Sequence, residues 1–174
     1  MLKFKSLVSF ALLLTLMVSN SWAESVDEQA PVFSLPDIYS GEQKALEQYR
    51  GRVAYLDFWA SWCGPCRREN PSVVKAYNKY KKSGFEVYSV SLDKDKNRWM
   101  QAIKQDGLIW PSHVSDLKQW RSAATGLYGF RGIPYTVLID KEGKIIVTRL
   151  KYMSSFLFHA LTKTASKISK QQQD

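Results

Sequence analysis

Cys63 and Cys66 are the only two cysteines in 174 residues, and they stand with two residues between them in FWASWCGPCRREN, residues 58–70. Three chemistries use such a pair: a structural clip, a metal site and a disulfide that opens and closes. As a clip the pair does little, because closing a loop this short constrains the unfolded chain by about 2 kcal/mol, against roughly 3 for fifteen residues. A structural zinc site takes four ligands, and the histidines that could complete one, His113 and His159, are far apart in the chain. Redox exchange accounts for the spacing directly. A strand ending at Ala60 and a helix starting after it put Cys63 at the helix N-terminus, where free N–H groups and the dipole stabilise a thiolate. Cys66, one turn on, is then placed to close a mixed disulfide from inside. Trp62 and the Gly64-Pro65 pair are expected to leave the Cys63 sulfur exposed while limiting the freedom of the loop.

Acids stand close by. Asp57 is the only charge in VAYLDFWA (53–60), six residues before Cys63, in a run that reads as a strand buried on both faces. A buried carboxylate without a partner is expensive unless its pKa rises. An arginine partner would account for it; a proton acceptor for Cys66 fits better. Glu69, three residues after Cys66, is a second candidate acid, or else a helix-surface charge.

The elements that must hold these groups form an α/β pattern. After the strand at 53–60, Val73, Tyr77 and Tyr80 fall at helical spacing, Gly84 stops the helix, and FEVYSVSL (85–92) reads as a second buried strand. Asp93 and Asp95 offer helix starts before Trp99, Ala102 and Ile103. Asp116 is expected to open another helix with Trp120, Ala123, Ala124 and Leu127 inward. YTVLID and KIIVTRL flank a Lys-Glu-Gly turn as a hairpin, and a last helix is expected from Ser154 with Phe156 to Ile168 as its apolar face. The result is a mixed sheet with helices on both faces.

At the N-terminus, Lys3 and Lys5, a short apolar run and SWA before Glu24 have the layout of a secretory signal peptide, residues 1–23, cut after Ala23. A domain over 24–168 and a polar tail over 169–174 follow. The formal net charge of +9, from 25 basic and 16 acidic residues, would suit nucleic acid. Export argues against that partner, and solvated helix faces are the ordinary reason for such clusters.

The residues DFWASWCGPC, which open on Asp57 at the position of the family's buried acid, and Pro71 in the helix after them resemble the thioredoxin superfamily. RGIP (131–134) is similar to that superfamily's loop carrying a cis-proline that faces the disulfide, which makes Pro134 that residue and Ile133 its neighbour on the substrate side. PVFSLPD, GLIWP and YGFRGIPYTVLIDKEGKI resemble more narrowly the exported TlpA/ResA-like thiol-disulfide oxidoreductases, over about residues 30–165. The resemblance implies a thioredoxin-like fold and a protein-disulfide reductase that often serves cytochrome c maturation. It also implies disulfide-bearing protein substrates and a membrane thiol relay as electron donor. Glu69 matches an active-site glutamate of that group. Tyr135 departs from the usual Thr after the cis-proline, and Ser89 stands where a lysine is often found near the buried acid.

The expectation is therefore an exported, periplasmic or otherwise extracytoplasmic monomer without cofactor or metal. Cys63 attacks, Cys66 resolves, Asp57 or Glu69 moves the proton, and Trp62, Gly64, Pro65, Ile133 and Pro134 meet the substrate. A disulfide oxidase or isomerase, a peroxiredoxin-like peroxidase and a metal- or partner-holding protein are the rivals.

Overall fold

The computed structural model describes residues 28–149. The segment read as a signal peptide, the last helix with His159, and the polar tail lie outside the described residues. Among those described, no helix is long and apolar enough to cross a membrane.

Two short strands, β1 (Ser34–Pro36) and β2 (Gln43–Ala45), form a small antiparallel hairpin. β3 (Val53–Trp59) follows and is buried along its whole length, as a continuous apolar run requires when both faces are covered. α1 (Gly64–Tyr80) carries the chain over to β4 (Phe85–Ser91), which pairs parallel to β3. α2 (Lys96–Gln105) leads to the two-residue β5 (His113–Val114), parallel to β4. α3 (Ala123–Tyr128) precedes β6 (Tyr135–Ile139) and β7 (Ile145–Thr148), the expected antiparallel hairpin. The sheet order is β5-β4-β3-β6-β7, so β3 lies at its centre. The short edge strand β5 is covered by the N-terminal segment: Ile38 N–H donates to the His113 carbonyl and Ser115 N–H to that of Pro36.

Parallel pairing sets the ends of β3 and β4 at one edge of the sheet, and Phe58 in register with Tyr135 brings the start of β6 there too. The loops after β3 and β4 and the loop before β6 therefore share one rim. Ligands of open α/β sheets are met at such a rim, outside the carboxyl ends of the parallel strands. Beneath it, Tyr55, Phe58, Trp59, Phe85, Tyr88 and Trp110 are fully buried.

Two sequence expectations change here. Of the two candidate starts for α2, Asp95 is the cap, its carboxylate accepting from Asn97 N–H and Arg98 N–H at 2.9 and 3.1 Å; Asp93 faces inward instead. The helix expected from Asp116 is broken, because Leu117 and Gln119 take positive φ (57° and 55°), which no α-helix accommodates. A single turn at Gln119–Arg121 and then α3 replace it. The new phase buries Ala124 and Thr125 and turns Trp120, Ala123 and Leu127 outward.

Candidate active site

Cys63 is the N-cap of α1. Its backbone is extended (φ −82°, ψ 95°), and its Sγ accepts a hydrogen bond from the Cys66 N–H at 3.2 Å. The cap position that usually takes Ser or Asp is thus filled by sulfur. Pro65, in the first turn, lacks only an N–H that would have no helical partner there. Cys63 and Cys66 form a disulfide with Cα atoms 5.3 Å apart. The expected exposure of Cys63 is not observed: it is 4 % exposed and Cys66 2 %. In this form its sulfur is turned back toward Cys66 and that residue's amide. The exposed positions are its neighbours Trp62, Gly64 and Pro65.

Asp57 lies in the middle strand, in register with Ser89 on β4 and Thr136 on β6. It is buried, and among the described residues no arginine, lysine or hydrogen-bond donor pairs with it. Desolvation, and secondarily the charge of Glu69, raise its pKa to about 7. Glu69, on the first turns of α1, is half-buried; burial raises its carboxyl above the usual range, partly opposed by Arg68. The fold therefore brings the two candidate acids within electrostatic reach of one another. Tyr55, two residues before Asp57 and so on the same side of β3, hydrogen-bonds Thr136. Burial and the Asp57 charge push its phenol well up.

A third carboxylate was not legible as part of the site. Asp93, just past β4, is buried and holds Ser61, two residues before the first cysteine. Its Oδ2 accepts from Ser61 N–H (2.8 Å) and Ser91 Oγ–H (2.7 Å), and its Oδ1 from Ser61 Oγ–H (2.6 Å). The Ser61 carbonyl accepts from Arg67 of α1 at 3.2 Å. Arg67 is in turn held by a two-pronged ion pair with Asp106 at the end of α2, and Asn70 Nδ2–H donates to the same carboxylate at 2.6 Å. Each polar group of Ser61's backbone and side chain is thereby fixed by an anchored charge. The available signal was Ser91 two residues before Asp93, a spacing that allows the reciprocal local bond seen between them.

Across the rim, the Ile133–Pro134 peptide is cis, as the resemblance implies, and both residues are half-buried. They line a groove of about 490 Å³ with Glu69, Arg131, Tyr135 and Arg149. The Tyr135 ring stacks on Phe130 at 4.6 Å between centroids, and the Arg149 guanidinium lies 5.9 Å from the Tyr135 ring centre. His113 is away from this site, buried in β5 and stacked on Trp110. Among the described residues no three His, Cys, Asp or Glu side chains converge as a metal site.

The redoxin family profile matches residues 25–160. The thiol-disulfide oxidoreductase ResA of Geobacillus thermodenitrificans is 36 % identical over 123 residues, spanning 71 % of this chain and 68 % of its own. ResA of Bacillus anthracis is 31 % identical over 121 residues, spanning 70 % and 67 %. Among solved structures, the thioredoxin domain of a thiol-disulfide oxidoreductase from Bacteroides vulgatus aligns with a TM-score of 0.68 at 30 % identity, covering 84 % of this chain and 99 % of that one. A thiol-disulfide oxidoreductase from Bacteroides fragilis aligns with a TM-score of 0.68 at 33 % identity, covering 81 % and 99 %. On profile, sequence and fold together, the chain belongs to the redoxin family and is a thiol-disulfide oxidoreductase with a thioredoxin-like fold.

Proposed function

We propose that the chain works outside the cytoplasm as a reductase of protein disulfides, with Cys63 as nucleophile, Cys66 as resolving thiol and Asp57 as the proton acceptor that frees Cys66. The observation that carries this reading is the pairing of a helix N-cap sulfur with an unpartnered buried acid on the strand that feeds the helix. The Cys63 thiolate attacks one sulfur of a substrate disulfide, forming a mixed disulfide and expelling the other sulfur as a thiolate that takes up a proton. Cys66 then gives its proton to the Asp57 carboxylate and attacks Cys63 Sγ. The Cys63–Cys66 bond forms, and the second substrate sulfur leaves and is protonated. Two electrons pass from the protein to the substrate. Glu69, through its charge, tunes Asp57, and Trp62, Gly64, Pro65, Ile133 and Pro134 border the substrate cysteine.

The oxidised pair must be reduced again by an external dithiol, which for an exported protein is a membrane thiol relay. The leader-like segment at residues 1–23 supports export. Gly64-Pro65 between the cysteines supports a potential nearer the reducing end, about −270 mV, than the oxidising end, about −120 mV. Reduction of a haem-accepting cytochrome's cysteines is the specific biological use we assign to it.

Trapping tests the order of attack. Cys66→Ser should accumulate as a substrate mixed disulfide that DTT reverses, because a hydroxyl cannot expel the substrate thiol, and Cys63→Ser should trap nothing. Equal trapping by both variants would refute the order. A cytochrome among the trapped proteins supports the maturation role; a broad mixture supports a general reductase.

A further inference from the structure

The rim carries more than the reaction needs. Trp62 and Trp120 are 51 % and 44 % exposed, an unusual state for the largest apolar side chains. They are 6.4 Å apart between ring centroids. From Trp120 the rings continue to Phe130 at 6.2 Å and from Phe130 to Tyr135 at 4.6 Å. An unbroken run of aromatic rings thus joins the residue before Cys63 to the residue after the cis-proline. It is also anchored. Asp93 and Arg67 clamp Ser61 next to Trp62, and the Trp120 carbonyl accepts from Thr125 Oγ–H at 2.9 Å.

At the Tyr135 end the groove changes character. Arg131 and Arg149 both line it and both are exposed, and no carboxylate pairs with either among the described residues. Glu69 is the single acid beside them in that lining. Two guanidinium groups facing an open groove match a carboxylate, which such forks bind in two-pronged fashion.

We propose that this rim selects its substrate: an extended polypeptide segment whose cysteine meets Cys63, with a large aromatic or apolar side chain on Trp62 and Trp120 and an acidic side chain in the groove of Arg131 and Arg149. This rests on the proposed reductase reading and adds the substrate's chemistry to it. The complementarity is of two kinds, apolar at one end and charged at the other. It fits a flexible chain rather than a small thiol, because the run of rings and the groove extend well beyond one disulfide. Since the surface is already ordered, little conformational freedom is lost on its side when the segment binds.

Synthetic cystine-loop peptides of one backbone test this with the reduced full chain. Their flanks carry Glu, Gln or Lys, and the residue beside the first cysteine is Trp or Ser. The reading is the second-order rate constant of oxidation of the protein. The Glu peptide should react about tenfold faster than the Lys peptide at low ionic strength, narrowing to about twofold at 0.5 M salt as exposed charges are screened. Replacing the peptide's Trp by Ser should lower the rate about tenfold. The double change Arg131→Glu with Arg149→Glu should reverse the charge order. Uncharged hydroxyethyl disulfide separates the two claims. If it is reduced while the peptides show no order of charge or aromaticity, the recognition surface is wrong and the reductase reading stands. If neither it nor any peptide is reduced, the reductase reading fails and the surface with it.

Discussion

Asp57, within β3, and Asp93, just past the end of the adjacent β4, are both buried, at 5 % and 2 % exposure. Asp93 accepts three hydrogen bonds, from the amide and hydroxyl of Ser61 and the hydroxyl of Ser91. Asp57 accepts none among the described residues, and its pKa stands at about 7. At Asp57 burial acts with no donor to offset it, and desolvation there raises the carboxyl well above its ordinary range. A satisfied buried carboxylate holds geometry, while an unsatisfied one is ready to take a proton. The site uses one of each: Asp93 fixes the loop that presents Cys63, and Asp57 lies unpaired in the strand leading to it.

The largest effect is expected at Asp93. Asp93→Ala leaves the Ser61 and Ser91 donors without their acceptor inside the protein and should destabilise the fold by about 3–5 kcal/mol, read by urea unfolding. Asp93→Asn, which keeps one acceptor oxygen, should lose about half of that. A loss below 1 kcal/mol for the alanine variant would mean that the loop is held by something else.

Asp57 should behave in the opposite sense. Its folded pKa, about 7, lies above its ordinary value of 3.8, so the folded state holds the extra proton between those values. Its unfavourable contribution is absent below about pH 4, grows as the pH rises towards 7 and is complete above it. The linkage limit is on the order of 4 kcal/mol. Asp57→Asn should therefore match the wild type at pH 3.5 and exceed it in stability at pH 8, by a few kcal/mol at most, because the buried amide also needs partners. Equal stability at both pH values would show that Asp57 ionises as freely in the fold as in the unfolded chain.

The smallest effect is expected at Glu69. Its charge is the second cause of the raised Asp57 pKa, so Glu69→Gln should move the Asp57 midpoint downward by a fraction of a unit, read by carboxyl NMR titration. An upward movement would contradict the coupling.

Much of this arrangement is legible in the chain itself. VAYLDFWA and FEVYSVSL announce buried strands because no polar alternation interrupts them, and the lone Asp57 among apolar neighbours announces its own burial. Cys63 is readable as a cap because a strand ends three residues earlier and proline follows in the first helical turn. Pro134 is different, since nothing in its local sequence points across the sheet, and only the family resemblance of RGIP placed it. Trp120 and Leu127 were misread because the helical phase rests on an unbroken helix, and left-handed Leu117 and Gln119 give no warning of the break. Asp93 was misread because an aspartate ahead of a helix has two uses, capping and long-range acceptance, and Asp95 two residues on already filled the first. The groove arginines sit in separate segments, 131 and 149, that only the β6–β7 hairpin brings together.

In the proposed reaction Asp57 takes the Cys66 proton during release of the mixed disulfide. Single-turnover release from a Cys63-linked peptide, followed from pH 5 to 9, tests it most directly. The wild-type rate should rise with pH through a midpoint near 7, as the Asp57 carboxylate becomes available to accept the proton. Asp57→Asn should slow release about a hundredfold and abolish that midpoint, while the first attack by Cys63 is nearly unchanged. An Asp57→Asn protein that releases its peptide at the wild-type rate, with the midpoint still near 7, would contradict the account.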